Sequence, residues 1–199
     1  YRLHECQLPT KYDKSFFKLE DCINALDIKP DYIISLGEGR CVDGLTIETR
    51  AMNLDDSEDG DNDGIARVNS LIYPDGESAL GLTLPLQKAY CGLSRKLRRK
   101  IIISQSGSNF VCNNLMYHSV RNLKLPFSFM HGPAASCSSA KSNTSVTKII
   151  SSLIRKNKPK YLSDEEIYPV GRKMTRKKKN RARKDCEKEF YQKLEYDYR

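Results

Sequence analysis

An alternation in the chain constrains the fold most. Residues 15–26 repeat apolar side chains at helical spacing (Phe16, Phe17, Leu19, Cys22, Ile23, Leu26), Lys29-Pro30-Asp31 ends that helix, and Tyr32-Ile33-Ile34-Ser35-Leu36 is a buried-strand run that stops at Gly37. The rhythm returns further on. A helix is expected over 84–97 with Pro85 in its first turn, a strand over 100–104, a helix over 110–121, a strand over 125–130 and a helix over 145–155. An extended segment over 44–53 leads into an acidic loop at 55–64, and a short strand is expected near residues 3–8. Helices alternating with short apolar strands cover both faces of a sheet, so the fold class is an α/β sandwich.

Composition narrows the function. The 199 residues contain no apolar run near the ~18 needed to span a bilayer, nor a basic-then-apolar leader at Tyr1. A soluble protein without a membrane partner is expected, and the absence of Met at position 1 suggests a processed form or a fragment. The formal charge is +9, from 34 Lys and Arg against 25 Asp and Glu. Nine of those bases lie between Arg172 and Lys184 with no acid among them, so the body is formally neutral and the excess belongs to the tail. Residues 1–156 are expected to form one α/β domain, and 157–199 a charged extension, helical or disordered. The basic run suits nucleic acid or an acidic partner, or a nuclear address, against the plainer reading of a solvated tail. Phe190, Tyr191, Leu194 and Tyr198 make too narrow an apolar stripe to demand docking.

Seven cysteines (Cys6, Cys22, Cys41, Cys91, Cys112, Cys137 and Cys186) are an odd, widely spaced set without a C-x-x-C pair, and only three histidines accompany them. The spacing argues against a zinc site and against a disulfide framework. Reduced thiols in a cytoplasmic protein are expected, with the nucleus an alternative from the basic run.

One local pattern carries chemistry. Ile101-Ile102-Ile103-Ser104, a polar turn, and then Phe110-Val111-Cys112-Asn113 read as strand, turn, helix, with Cys112 in the first helical turn. Helix N-termini favour a thiolate over a thiol and offer N–H groups to an oxyanion. His131 follows the apolar strand Phe127 to Met130, and strand ends near helix N-termini are where sites collect in α/β sheets. A lone Cys and a lone His are more often structural than catalytic; their company decides.

That company resembles the pyroglutamyl peptidases, cysteine peptidases that remove an N-terminal pyroglutamyl residue. Lys29-Pro30-Asp31 with the strand to Gly37 is similar to the family's kPD...hvG segment, and Ile47-Glu48-Thr49-Arg50-Ala51-Met52-Asn53 to its sIErvAvN motif. Asp61-Asn62-Asp63-Gly64 stands for PDNxG, Thr83-Leu84-Pro85 for TLP, residues 104–117 (SQSGSNFVCNNLMY) for SxsaGxYxCNxxMY, and Phe129-Met130-His131-Gly132-Pro133 for FiHvPy. The resemblance covers residues 1–156. It implies a three-layer α/β/α sandwich on a mixed, mostly parallel sheet, often assembled into homo-oligomers, here without the family's first strand and helix. It also implies a catalytic triad of Cys112, His131 and Glu48, substrate contacts from Asn53, Asn62 and Phe110, a peptide substrate, and no metal or organic cofactor. A second reading stays open: a weak or inactive relative acting as a scaffold, with the basic tail as the binding element. The run Asp59 to Gly64 spells the start of a calcium loop, but Ser70 holds the twelfth position, where a bidentate carboxylate is needed.

Overall fold

The computed structural model describes residues 2–39, 41, 44–84, 86–105, 109–137, 140–156 and 184–193. Helix α1 (Lys14–Asn24) precedes strand β1 (Ile33–Glu38), and five short strands follow: β2 (Leu45–Glu48), β3 (Arg50–Met52), β4 (Asp55–Ser57), β5 (Arg67–Ser70) and β6 (Ala79–Gly81). Then come helices α2 (Leu86–Cys91) and α3 (Arg95–Arg98), strand β7 (Ile101–Ser104), helix α4 (Val111–Asn122), strand β8 (Phe127–Gly132), a 3-10 turn (Ala135–Cys137) and helix α5 (Ala140–Lys156). Pro85 and most of the basic run lie outside the described residues, as do Leu194 and Tyr198.

The largest sheet has the order β1-β8-β2-β7. Bonds from Ile33 N–H to Pro126 O and from Gly39 N–H to Gly132 O advance together, so β1 and β8 run parallel, whereas β2 is antiparallel to β8. A mixed sheet with helices is the expected α/β class. No helix among the described residues is long and apolar enough to cross a membrane.

The chain forms two compact units. The first comprises Tyr1–Gly37, Glu48–Leu84 and Gln105–Phe129. Its core gathers Phe16 and Leu19 of α1, Ala51 of β3, Leu115, Met116 and Tyr117 of α4, and Phe127 and Phe129 of β8. Burying each of the larger side chains contributes about 1.5–3 kcal/mol relative to exposure. Two expectations need correction here. Residues 3–8 form no strand; Cys6 is joined to Cys22 of α1, so a helix rather than a sheet anchors the segment. The acidic loop opens with β4, paired antiparallel to β5. Its carboxylates serve the turn: Asp61 accepts the N–H groups of Tyr12, Asp63 and Ile65, and Asp63 pairs with Lys11 and Lys14 at 2.6 Å each.

A charged network crosses this unit. Arg67 bridges Asp13 at 2.5 Å and Asp55 at 3.0 Å, and its guanidinium stacks over Tyr12, 4.6 Å from the ring centroid. Asn114 donates to Asp55 at 2.8 Å and accepts the Asp13 N–H at 3.0 Å. His118 completes the network, with Nε2 3.2 Å from Asp13 Oδ1 and Nδ1 2.9 Å from Tyr73 Oη. The carboxylate needs a proton on Nε2, so in the neutral ring Nδ1 accepts from the tyrosine hydroxyl. The bond from His118, opposed by partial burial and reinforced by Arg67 and Asn114, holds the Asp13 carboxyl below its ordinary range. Burial, offset in part by Arg67 and Asn114, pushes the Asp55 carboxyl up.

The two shifts act oppositely on stability. Asp13, depressed in the fold, stabilises it above the ordinary carboxylate range, and that contribution fades as pH falls through the folded value. Asp55, raised in the fold, opposes folding where it is ionised and ceases to do so once protonated. Asp13 sits at φ 57°, a region asparagine also tolerates. Asp13→Asn is expected to lower the urea midpoint at pH 7 and to flatten its decline between pH 5 and 2; an unchanged acid limb would show that Asp13 does not carry it.

The second unit comprises Glu38–Ile47, Pro85–Ser104 and the described residues from Met130 on. Gly44 lets β2 approach β7: a Cβ there would lie 1.9 Å from the Lys100 carbonyl oxygen. The single helix expected over 84–97 is two, because the chain turns at Gly92 and Ser94 caps α3, its hydroxyl accepting the Leu97 N–H. Residues 184–193 are helical and docked, which corrects the reading of their apolar stripe as too narrow. Cys186 is joined to Cys91, Phe190 packs against Tyr90 with ring centroids 5.3 Å apart, and Glu189 accepts from Tyr90 and pairs with Arg98 at 3.2 Å. Lys193 Nζ donates to the carbonyls of Arg98 and Ile101 at 2.9 and 2.6 Å.

Candidate active site

Helix α4 begins where the strand–turn–helix pattern puts it. Phe110 occupies the cap position in extended backbone, φ −104° and ψ −168°, without a capping side-chain bond. Cys112, second residue of the helix, is partly buried and packs against the core of the first unit. The next residue, Asn113, is fully buried. Its Oδ1 accepts the Met52 N–H at 2.8 Å, and its Nδ2 donates to the carbonyls of Met52 and Leu54, each at 2.9 Å. The Asp56 N–H donates to Asn109 O at 2.8 Å, a second tie between the start of α4 and the same stretch of chain.

The cysteines overturn the expectation of reduced thiols without disulfides. Cys6–Cys22 and Cys91–Cys186 are bonded, with Cα atoms 6.2 and 5.7 Å apart, and Cys41 is disulfide-bonded as well. Cys112 is free. The separations of 16 and 95 residues are closed by folding, and spacing along the chain does not reveal such pairs.

The other expected site residues are placed as follows. Glu48, in the first unit, ends β2 and is 4 % exposed. His131, in the second unit, lies on β8, paired in register with Thr46. Gly39 makes room for it: a Cβ on Gly39 would fall 2.7 Å from the His131 Cβ. Phe110, two residues before the thiol, stands edge-on to Tyr12 with ring centroids 5.7 Å apart. Asn53 is buried, and both ends of its amide are committed to one backbone residue, Oδ1 accepting the Tyr73 N–H at 2.8 Å and Nδ2 donating to Tyr73 O at 2.7 Å. Its role in the fold is therefore to hold the loop after β5, where Tyr117 also donates to Glu77 O at 2.6 Å. Asn62 is exposed and its N–H donates to Thr10 O at 2.9 Å. Sequence reasoning missed Asn113 and the closeness of Gly39 to His131. Adjacency to Cys112 was the available signal for the first; the second arises only from strand pairing.

The α/β body thus carries, among the described residues, a free cysteine in the first turn of a helix. The family model described as pyroglutamyl peptidase matches residues 2–133, and the chain belongs to that family. Among curated proteins, the pyrrolidone-carboxylate peptidase of Brachyspira hyodysenteriae is 33% identical over 132 residues, 64% of this chain and 64% of that protein. The pyrrolidone-carboxylate peptidase of Bacillus cereus is 31% identical over 141 residues, 67% of this chain and 63% of its own length. The chain thus spans a little under two thirds of the curated relatives it matches. Among solved structures, pyroglutamyl peptidase I from Bacillus amyloliquefaciens superposes with a TM-score of 0.62 at 25% identity, covering 74% of both chains. The pyrrolidone carboxyl peptidase of Thermus thermophilus gives 0.55 at 27% identity over 63% of this chain and 65% of that one.

Proposed function

We infer that the chain is a thiol peptidase that releases an N-terminal pyroglutamyl residue from peptides, with Cys112 as nucleophile, His131 as general base and acid, and Glu48 as the carboxylate that orients the imidazole. The observation that carries this is the state of the thiols among the described residues: Cys6, Cys22, Cys41, Cys91 and Cys186 are paired, while Cys112 is free in the first turn of α4. The other two roles are supported by the likeness of residues 47–53 and 129–133 to the family's motifs.

In this reading His131 takes the thiol proton, and the thiolate attacks the carbonyl carbon of the pyroglutamyl amide. First-turn N–H groups of α4 stabilise the oxyanion that develops. The tetrahedral adduct collapses as the imidazolium protonates the departing amine, leaving a thioester on Cys112. Water, deprotonated by His131, then hydrolyses the thioester to free pyroglutamate and thiol. The Phe110 ring serves as the apolar wall for the lactam. The paired cysteines support an oxidising setting for the folded chain.

Purified protein should release p-nitroaniline from pyroglutamyl p-nitroanilide and not from the prolyl or alanyl anilides. No release, or equal release from all three, would overturn the assignment.

A further inference from the structure

We propose that Asn113 is the positioning residue of the site: its buried amide clamps the first turn of α4, and with it the Cys112 sulfur, to the backbone that runs on from Glu48. The proposal rests on the pyroglutamyl reading above for the identity of the nucleophile.

All three bonds of the Asn113 side chain end on main-chain atoms of Met52 and Leu54. Main-chain partners cannot swing away as side chains do. The amide therefore fixes both the axial position and the rotation of the helix start relative to that strand end. Met52 lies four positions after Glu48 and ends β3, which is held to β6 in the register Arg50↔Gly81, Ala51↔Leu80 and Met52↔Ala79. The bond from Asp56 N–H to Asn109 O closes the same seam on the other side of the thiol. A first turn tied at Asn109 and Asn113 has little freedom at Cys112 between them. Displacement of a reacting group by ~1 Å can cost about 100-fold in rate, so this amide influences chemistry it never touches.

Asn114 supplies the matched comparison. It is as fully buried as Asn113 and makes as many side-chain bonds, but to Asp13 and Asp55. Removing either amide strands buried polar groups and lowers stability. Only loss of the clamp should misplace the sulfur.

The test compares Asn113→Ala, with Asn113→Ser as a milder form, against Asn114→Ala. Three quantities are read on folded protein: kcat and KM on pyroglutamyl p-nitroanilide, the iodoacetamide rate at Cys112 as a function of pH, and Tm. The Asn113 variants are expected to lose about 10- to 100-fold in kcat with KM changed less than threefold, and to shift the pH profile of alkylation. Asn114→Ala should lower Tm comparably while kcat and the alkylation profile stay within twofold of wild type. Equal kinetic behaviour of the two substitutions would overturn the proposal. So would failure of both Asn113 variants to fold while Asn114→Ala folds, which would assign the amide to the fold alone. Alkylation is measured without peptide substrate, so the clamp stands or falls separately from the pyroglutamyl assignment.

Discussion

Cys112→Ala is expected to reduce release from pyroglutamyl p-nitroanilide by at least about 1000-fold, because in the proposed mechanism the acyl-enzyme forms on this sulfur. The fold should hardly notice. The thiol is small and only partly buried, so the substitution is expected to cost no more than about 1 kcal/mol and to leave Tm within ~4 °C. Intact-mass analysis during turnover provides the second measurement: wild type should carry a pyroglutamyl adduct on the peptide containing Cys112, and the variant none. His131→Ala should fall by a similar factor, since residues acting as a unit lose nearly the whole effect together. Retention of more than about a tenth of the wild-type rate by Cys112→Ala would remove the sulfur from the mechanism.

The joint replacement Cys91→Ser, Cys186→Ser is expected to have the largest effect on stability. The bond closes a loop over a sequence separation of 95 residues, for which the chain-entropy account gives about 4–5 kcal/mol. Measured values commonly fall short, so about 3 kcal/mol, or roughly 10 °C in Tm, is the working expectation. More is at stake than chain entropy. The bond holds the helix at 184–193, which contributes Phe190 to the core of the second unit and the Lys193 ammonium that satisfies two carbonyls. Melting the variant beside wild type with and without dithiothreitol checks this: reductant should bring wild type towards the variant. A variant within ~2 °C of wild type would show that the noncovalent contacts suffice. Thiol enzymes are usually kept reduced, and here the same reductant that protects Cys112 attacks the staple.

The parts of the fold legible in sequence are those whose signal is local. Phe16, Leu19 and Ile23 at helical spacing and the β-branched run Ile101 to Ile103 announce α1 and β7 without help from distant residues. The start of α4 was equally plain, since an apolar strand, a polar turn and a helical repeat follow in order. Strand β4 could not be read, because Asp55 in its first position becomes admissible only when Arg67 and Asn114 meet its carboxylate. The helix at 184–193 was undervalued for a similar reason: Phe190 and Cys186 form a narrow stripe until Cys91 and Tyr90 receive them. At the candidate site, the place of Cys112 in the first turn of α4 was legible from the helical repeat. The bonds of the Asn53 amide to the Tyr73 backbone could not be read there, because an asparagine inside a motif does not reveal what its amide faces.

Helix α4 is set by more than its first turn. Successive residues of an α-helix point 100° apart, and here two asparagines in a row are read by different listeners, one by peptide groups at 52 and 54, the other by the carboxylates of Asp13 and Asp55. A slip of a single position, or a turn of the helix about its axis, would mismatch both at once. The rotation of the helix about its axis is therefore checked twice, by two neighbouring amides whose partners differ in kind.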